Sequence, residues 1–135
     1  MTLVGTGDSA LCQQYVLAQI HKNSDCPVSP CSFDGVYQPK LTSNAKFLAM
    51  SGFQFCSAFL FGYSKQQFTL KELQNVTDSY CSTSWSMAQQ LHPGVNPQYL
   101  KLYCLTGNYL KALLHDGYGF AMDDASSIFF MDTLD

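Results

Sequence analysis

Six cysteines are the residues best placed to do chemistry in this chain: Cys12, Cys26, Cys31, Cys56, Cys81 and Cys104. Cysteine offers a crosslink, a thiolate nucleophile or a zinc ligand. Cys26 and Cys31 frame Pro27, Ser29 and Pro30. Each proline fixes its own φ and pushes the residue before it to extended geometry, so this stretch folds back on itself. A small disulfide loop is its natural outcome. Zinc is the weaker reading, because no Cys-x-x-Cys pair exists and His21, His92 and His115 are far apart. Metal ligands are therefore assigned to none of these residues, and catalytic residues likewise to none. No Gly-x-Ser-x-Gly elbow or Ser-His-Asp arrangement can be drawn. Gly5-Thr6-Gly7 is too short for a phosphate loop and reads as a strand-end turn. Asp34, Asp123 and Asp124 read as solvated turn carboxylates, and the three histidines as exposed.

Asn75-Val76-Thr77 is an N-glycosylation sequon, with Asn75 the acceptor if the chain is lumenal. The cysteine content points the same way, since disulfides belong to oxidising compartments. Met1-Thr2-Leu3-Val4-Gly5 lacks the basic start and long apolar core of a secretory leader. An oxidising origin then implies that these residues are part of a longer protein. Gly52 to Tyr63 is the longest apolar-rich run and is too short for the ~20 residues a membrane helix needs.

Elements that would position these residues follow from periodicity and caps. Asp8 or Ser9 caps a helix running to about Lys22, with Leu11, Cys12, Tyr15, Val16, Ala18 and Ile20 as its apolar stripe. Phe33-Asp34-Gly35 is a turn, and Val36 and Tyr37 begin an extended run. Lys46 to Phe53 reads as a buried strand passing into a helix near Ser51-Gly52. Thr69-Leu70-Lys71-Glu72 is a capping box, with Phe68 and Leu73 at the hydrophobic-staple positions. The helix it starts has Leu73, Val76 and Tyr80 inside and ends near Cys81. A short helix spans Trp85 to Leu91. Asn96-Pro97 opens the last helix, whose stripe is Leu100, Tyr103, Cys104, Gly107, Leu110 and Leu114. Lys101, Asn108, Lys111 and His115 would form its solvated face. Thr2-Leu3-Val4 reads as a strand end, and Ser127 to Met131 as a final strand left without a partner. The fold class is α/β, with about four helices and short strands.

The 135 residues are 47% apolar and only 13% charged, with a net charge of −3. That is enough apolar content for a core and too little clustered positive charge for a nucleic-acid partner. A low charge fraction fits a surface partly covered by other protein.

SPCSFDGVYQPKL at 29–41, FLAMSGFQF at 47–55, YLKLYC at 99–104 and GYGF at 117–120 together resemble the apyrases, the ecto-nucleoside triphosphate diphosphohydrolases. The resemblance runs over nearly the whole chain and keeps the family's order. It implies that residues 1–135 are part of the second, C-terminal lobe of a protein with two RNase-H-like lobes, related to actin and the sugar kinases. It also implies hydrolysis of the terminal phosphates of nucleoside tri- and diphosphates with Ca²⁺ or Mg²⁺. The family's phosphate-binding and catalytic motifs are not in this chain, so the segment alone should be inactive and bind no metal. Its partners would be the nucleotide and the remaining lobe, in the extracellular space or the secretory lumen, with no membrane segment of its own.

The resemblance implies two disulfides, Cys26–Cys31 and Cys81–Cys104. A loop of the second size stabilises by roughly 3 kcal/mol in the chain-entropy description, and the small loop by about 2 kcal/mol. Cys12 would lack its upstream partner, and Cys56 has no counterpart. The family holds the base between two aromatic rings at positions matching Phe55 and Tyr103. From spacing alone both rings read as core, since each lies on an apolar stripe. Tyr99 stands where some members carry Arg. Two other readings remain: a non-enzymatic, disulfide-braced secreted binding module, and a cytosolic protein with free thiols or a metal.

Overall fold

The computed structural model describes residues 4–132. The strand end expected at Thr2-Leu3-Val4 lies largely outside them. Helix α1 spans Ser9–Ile20. Strand β1 is Phe47–Ala49 and leads into α2, Gly52–Phe61. Helices α3, Leu70–Cys81, and α4, Trp85–Leu91, follow. A single turn, α5, Pro97–Leu100, precedes α6, Tyr103–Ala112. A π-helical turn, Leu113–Gly117, continues α6, and β2 is Ile128–Phe130. The fold is mixed and mostly helical, with one two-stranded parallel sheet, compatible with an α/β class.

The sheet corrects one expectation. The final strand does have a partner: β2 pairs in parallel with β1, Leu48 opposite Phe129 and Ala49 opposite Phe130. The Phe47 amide donates to the Ser127 carbonyl at 2.8 Å, and the Met131 amide to Ala49 at 3.1 Å. The Asp124 turn sets up this strand. Hydrogen bonds from the Ser127 hydroxyl, then from the Ser126 amide and hydroxyl, pull the Asp124 carboxyl down to about 2.

Helix α6 is central and packs against α1, α3 and α2. The main core gathers around Phe68, Leu70, Leu73, Leu110 and Phe130. A smaller cluster joins Val16 and Ile20 of α1 to Ala112 of α6, with Phe33 against it. The expected Pro97 helix is broken into α5 and α6 around Lys101 and Leu102, so there are more helices than four. Its supposed solvated face is also not solvated. Asn108 is fully buried and Lys111 nearly so, because α1 lies across them. The Asn108 amide donates to the Ser9 hydroxyl at 3.1 Å and to the Cys104 carbonyl at 3.0 Å. Lys111 reaches Asp116 at 3.4 Å. Conversely, Leu11 and Tyr15 of the expected α1 stripe are exposed, and only Val16 and Ile20 are buried.

The capping box is present in full. The Glu72 amide donates to the Thr69 hydroxyl at 3.0 Å, and the Thr69 amide to the Glu72 carboxylate at 2.8 Å. Lys65 also bonds Glu72 at 2.7 Å. The hydrogen bond from Lys65, then that from the Thr69 amide, holds the Glu72 carboxyl below its ordinary value. A depressed carboxylate stabilises above its unfolded pKa, and that share is lost as pH falls through the folded one. Thr69→Ala is expected to cost about 1 kcal/mol near neutrality. Urea unfolding would show it as a lower midpoint, and an unchanged midpoint would mean the cap is idle.

The loop expected at Cys26–Cys31 closes as a disulfide, and so does Cys81–Cys104. Asp34 and Gly35 both take positive φ, 52° and 70°, which makes the expected turn. A Cβ at residue 35 would lie 2.2 Å from the Asp25 carbonyl oxygen, so glycine is required there. Cys31 then bridges Tyr37 in antiparallel fashion.

Candidate base-binding aromatic cluster

Phe55 and Phe59 are four residues apart on α2 and therefore share a face. The Phe59 ring lies flat on Tyr103, the first residue of α6, with centroids 3.7 Å apart and planes 7° from parallel. Tyr80, near the end of α3, meets Phe59 edge-on at 5.2 Å. The His92 ring tilts against Phe59 at 4.7 Å. The Tyr80 hydroxyl donates to the Leu100 carbonyl at 2.6 Å, which fixes its ring.

The disulfide explains why these rings meet. Tyr80 directly precedes Cys81, and Tyr103 directly precedes Cys104. Bonding the two sulfurs draws the end of α3 to the start of α6 and brings both tyrosines against α2. Burial, then Cys56 and Tyr99, raises the Tyr103 hydroxyl pKa, and burial followed by Tyr103 raises that of Tyr80. Both phenols are neutral at physiological pH.

Of the two rings expected to hold a base, Tyr103 is half-buried with one face on Phe59, and Phe55 is 62% exposed. Among the described residues the two do not form a ring pair with each other. The partner that spacing did not reveal is Phe59. Its only signal was the i, i+4 relation to Phe55. His92 and His115, expected exposed, are half-buried. His115 Nδ1 lies 2.7 Å from the Phe120 carbonyl.

Other chemistry is sparse. Cys12 and Cys56 are free thiols. Cys56 is buried, which pushes its pKa up to about 12 and leaves it protonated and inert. Burial also raises Cys12. Asn75 is exposed on α3. Among the described residues no group of three His, Cys, Asp or Glu side chains could hold a metal ion, and no helix is long and apolar enough to cross a membrane. An apolar groove of about 510 Å³ lies elsewhere, between Leu41, Phe47, Phe53, Leu114 and Phe120. Among the described residues Lys40 is the one charged residue in its lining.

The chain matches the GDA1/CD39 (nucleoside phosphatase) family over residues 1–135. It is similar to ectonucleoside triphosphate diphosphohydrolase 1 of Mus musculus, with 37% identity over 128 residues, 94% of this chain and 24% of the mouse protein. The Bos taurus protein of the same name is 33% identical over 128 residues, 95% of this chain and 24% of its own. Ectonucleoside triphosphate diphosphohydrolase 3 of Homo sapiens is 33% identical over 130 residues, 96% of this chain and 24% of the human protein. The chain thus spans about a quarter of the length of these relatives. It belongs to the GDA1/CD39 nucleoside phosphatase family.

Proposed function

We propose that this chain is the nucleotide-base-binding part of a nucleoside tri- and diphosphate phosphatase, in the second lobe of an RNase-H-like pair. The parent would remove terminal phosphates with Ca²⁺ or Mg²⁺, outside the cell or in the secretory lumen. The described residues offer no cluster for that cation, so no step of the hydrolysis is assigned to them. The observation that carries the reading is the fixed ring of Tyr103. Phe59 backs it at 3.7 Å, and the neighbouring Cys104 is tied to Cys81. A ring held on one side can offer its other side to a base, and every base has a π face. Phe55 stands exposed on the same helix as Phe59 as the second ring.

Calorimetric titration of this chain with ADP tests the assignment. Tyr103→Ala and Phe55→Ala should each weaken binding by about 5- to 150-fold, the equivalent of the ~1–3 kcal/mol that one stacked base contributes. Near-UV dichroism would verify that each variant remains folded. Undiminished affinity in the folded Tyr103 variant would make Tyr103 a core residue only. Neither this chain by itself nor its variants should release phosphate from ATP above a boiled control. A second reading, a non-enzymatic binding module, draws support from the β1–β2 pairing, which gives the last strand a partner within the chain. It predicts the same binding, with no gain of turnover when the rest of a family enzyme is supplied.

A further inference from the structure

The only Asn-x-Ser/Thr sequon in the sequence is Asn75-Val76-Thr77, and it lies in the middle of α3. Residues two apart on a helix are turned by about 200°, so they face opposite ways. Asn75 is exposed, whereas Thr77 has no exposed surface. The Thr77 hydroxyl donates to the Leu73 carbonyl at 2.7 Å. Its side chain also fills the close crossing of α3 and α6. A Cβ at Gly107 would meet Thr77 Oγ1 at 2.5 Å and Cγ2 at 2.8 Å.

N-glycan transfer needs both members of the sequon at once. The Asn carboxamide nitrogen attacks the anomeric carbon of a lipid-linked oligosaccharide pyrophosphate. A carbon–nitrogen bond forms, the nitrogen loses a proton, and the lipid pyrophosphate leaves. The transferase must meanwhile hold the hydroxyl two residues on. Folded α3 presents the amide and hides the hydroxyl.

We propose that Asn75 is an N-glycan acceptor that is open only until α3 packs against α6. The inference rests on the lumenal reading above. Two devices close the window, one at each end of α3. The capping box sets the first turn, and the Cys81–Cys104 disulfide ties down the last. Cys104 follows Cys81 by 23 residues, so the sequon emerges before its lock exists. A glycan added in that interval does not obstruct folding, because Asn75 shares an exposed ridge with Lys71 and Ser79. Occupancy would be decided by a race between transfer and helix packing.

The test uses purified oligosaccharyltransferase, a synthetic lipid-linked oligosaccharide and the full chain, either oxidised and folded or reduced and unfolded. Mass spectrometry reads the glycan on Asn75, with Asn75→Gln as the blank. Transfer to the unfolded chain is expected, with an initial rate at least about tenfold lower on the folded chain, which must open α3 locally first. Equal rates on both forms would overturn the gating. No transfer to either would overturn the acceptor assignment. A chain carrying Thr69→Ala with Cys81→Ser and Cys104→Ser, kept under folding conditions, should recover the faster rate; a rate as slow as that of the folded parent would also overturn the gating. The assay contains no cell, so its outcome does not depend on the compartment.

Discussion

Phe130→Ala is expected to destabilise the protein by about 3–5 kcal/mol, the largest effect of any single side chain considered. Phe130 has no exposed surface and is the largest fully buried side chain among the described residues. It stacks on Phe68 at 4.0 Å, and Phe68 is itself buried beside Phe61, at 4.6 Å. The Phe130 amide donates to the Gln66 carbonyl at 2.8 Å, so the backbone is pinned and cannot move in to fill a cavity. Urea unfolding under oxidising conditions would measure the loss. Phe130→Leu keeps most of the volume and should cost about 1 kcal/mol, because it keeps the site apolar and close to filled. A Phe130→Ala chain as stable as the parent would mean that β2 is not seated in the core.

Cys81→Ala with Cys104→Ala is expected to cost about 3 kcal/mol, from the freedom returned to the unfolded chain by a loop of 23 residues. The small Cys26–Cys31 loop spans only 5 residues, and removing it should cost about 2 kcal/mol. The two losses differ in kind as well as size. The larger loop lies beside Tyr80 and Tyr103, so its removal should also loosen the Phe59–Tyr103 stack and change the tyrosine near-UV signal. The small loop is bridged to Tyr37 instead, so its removal should leave the Phe59–Tyr103 stack in place. Equal melting of parent and Cys81/Cys104 variant, with an unaltered tyrosine signal, would sink the bracing role.

Local chemistry was legible in the sequence. The Thr69–Glu72 box, the strand-to-helix switch near Ser51-Gly52, the Pro-framed cysteine loop and the Trp85 helix all follow from neighbours within a few positions. Long-range packing was not. Periodicity divides α6 into faces but does not say how many helices touch it. By periodicity alone Asn108 and Lys111 belong in solvent, although α1 covers them. The same gap makes Leu11 and Tyr15 look buried, although both are exposed. The partner of β2 was hidden because a parallel ladder leaves no turn signal between its strands. Phe59 was unreadable for a subtler reason. Four aromatics on one short helix look alike in sequence, and only the disulfide-set position of Tyr103 distinguishes the one that is stacked.

The β1–β2 ladder also constrains the order of assembly. The bond from the Phe47 amide to the Ser127 carbonyl joins residues about 80 apart. Closing so long a loop costs chain entropy before any ladder bond forms. Contacts within α2, α3 and α6 are short in sequence and form early by comparison. The ladder is thus a late event that needs the helical body as its template. Until it closes, the Phe130 side chain has no seat, and a nascent chain that has not yet extended through β2 carries its Phe68 shelf uncovered.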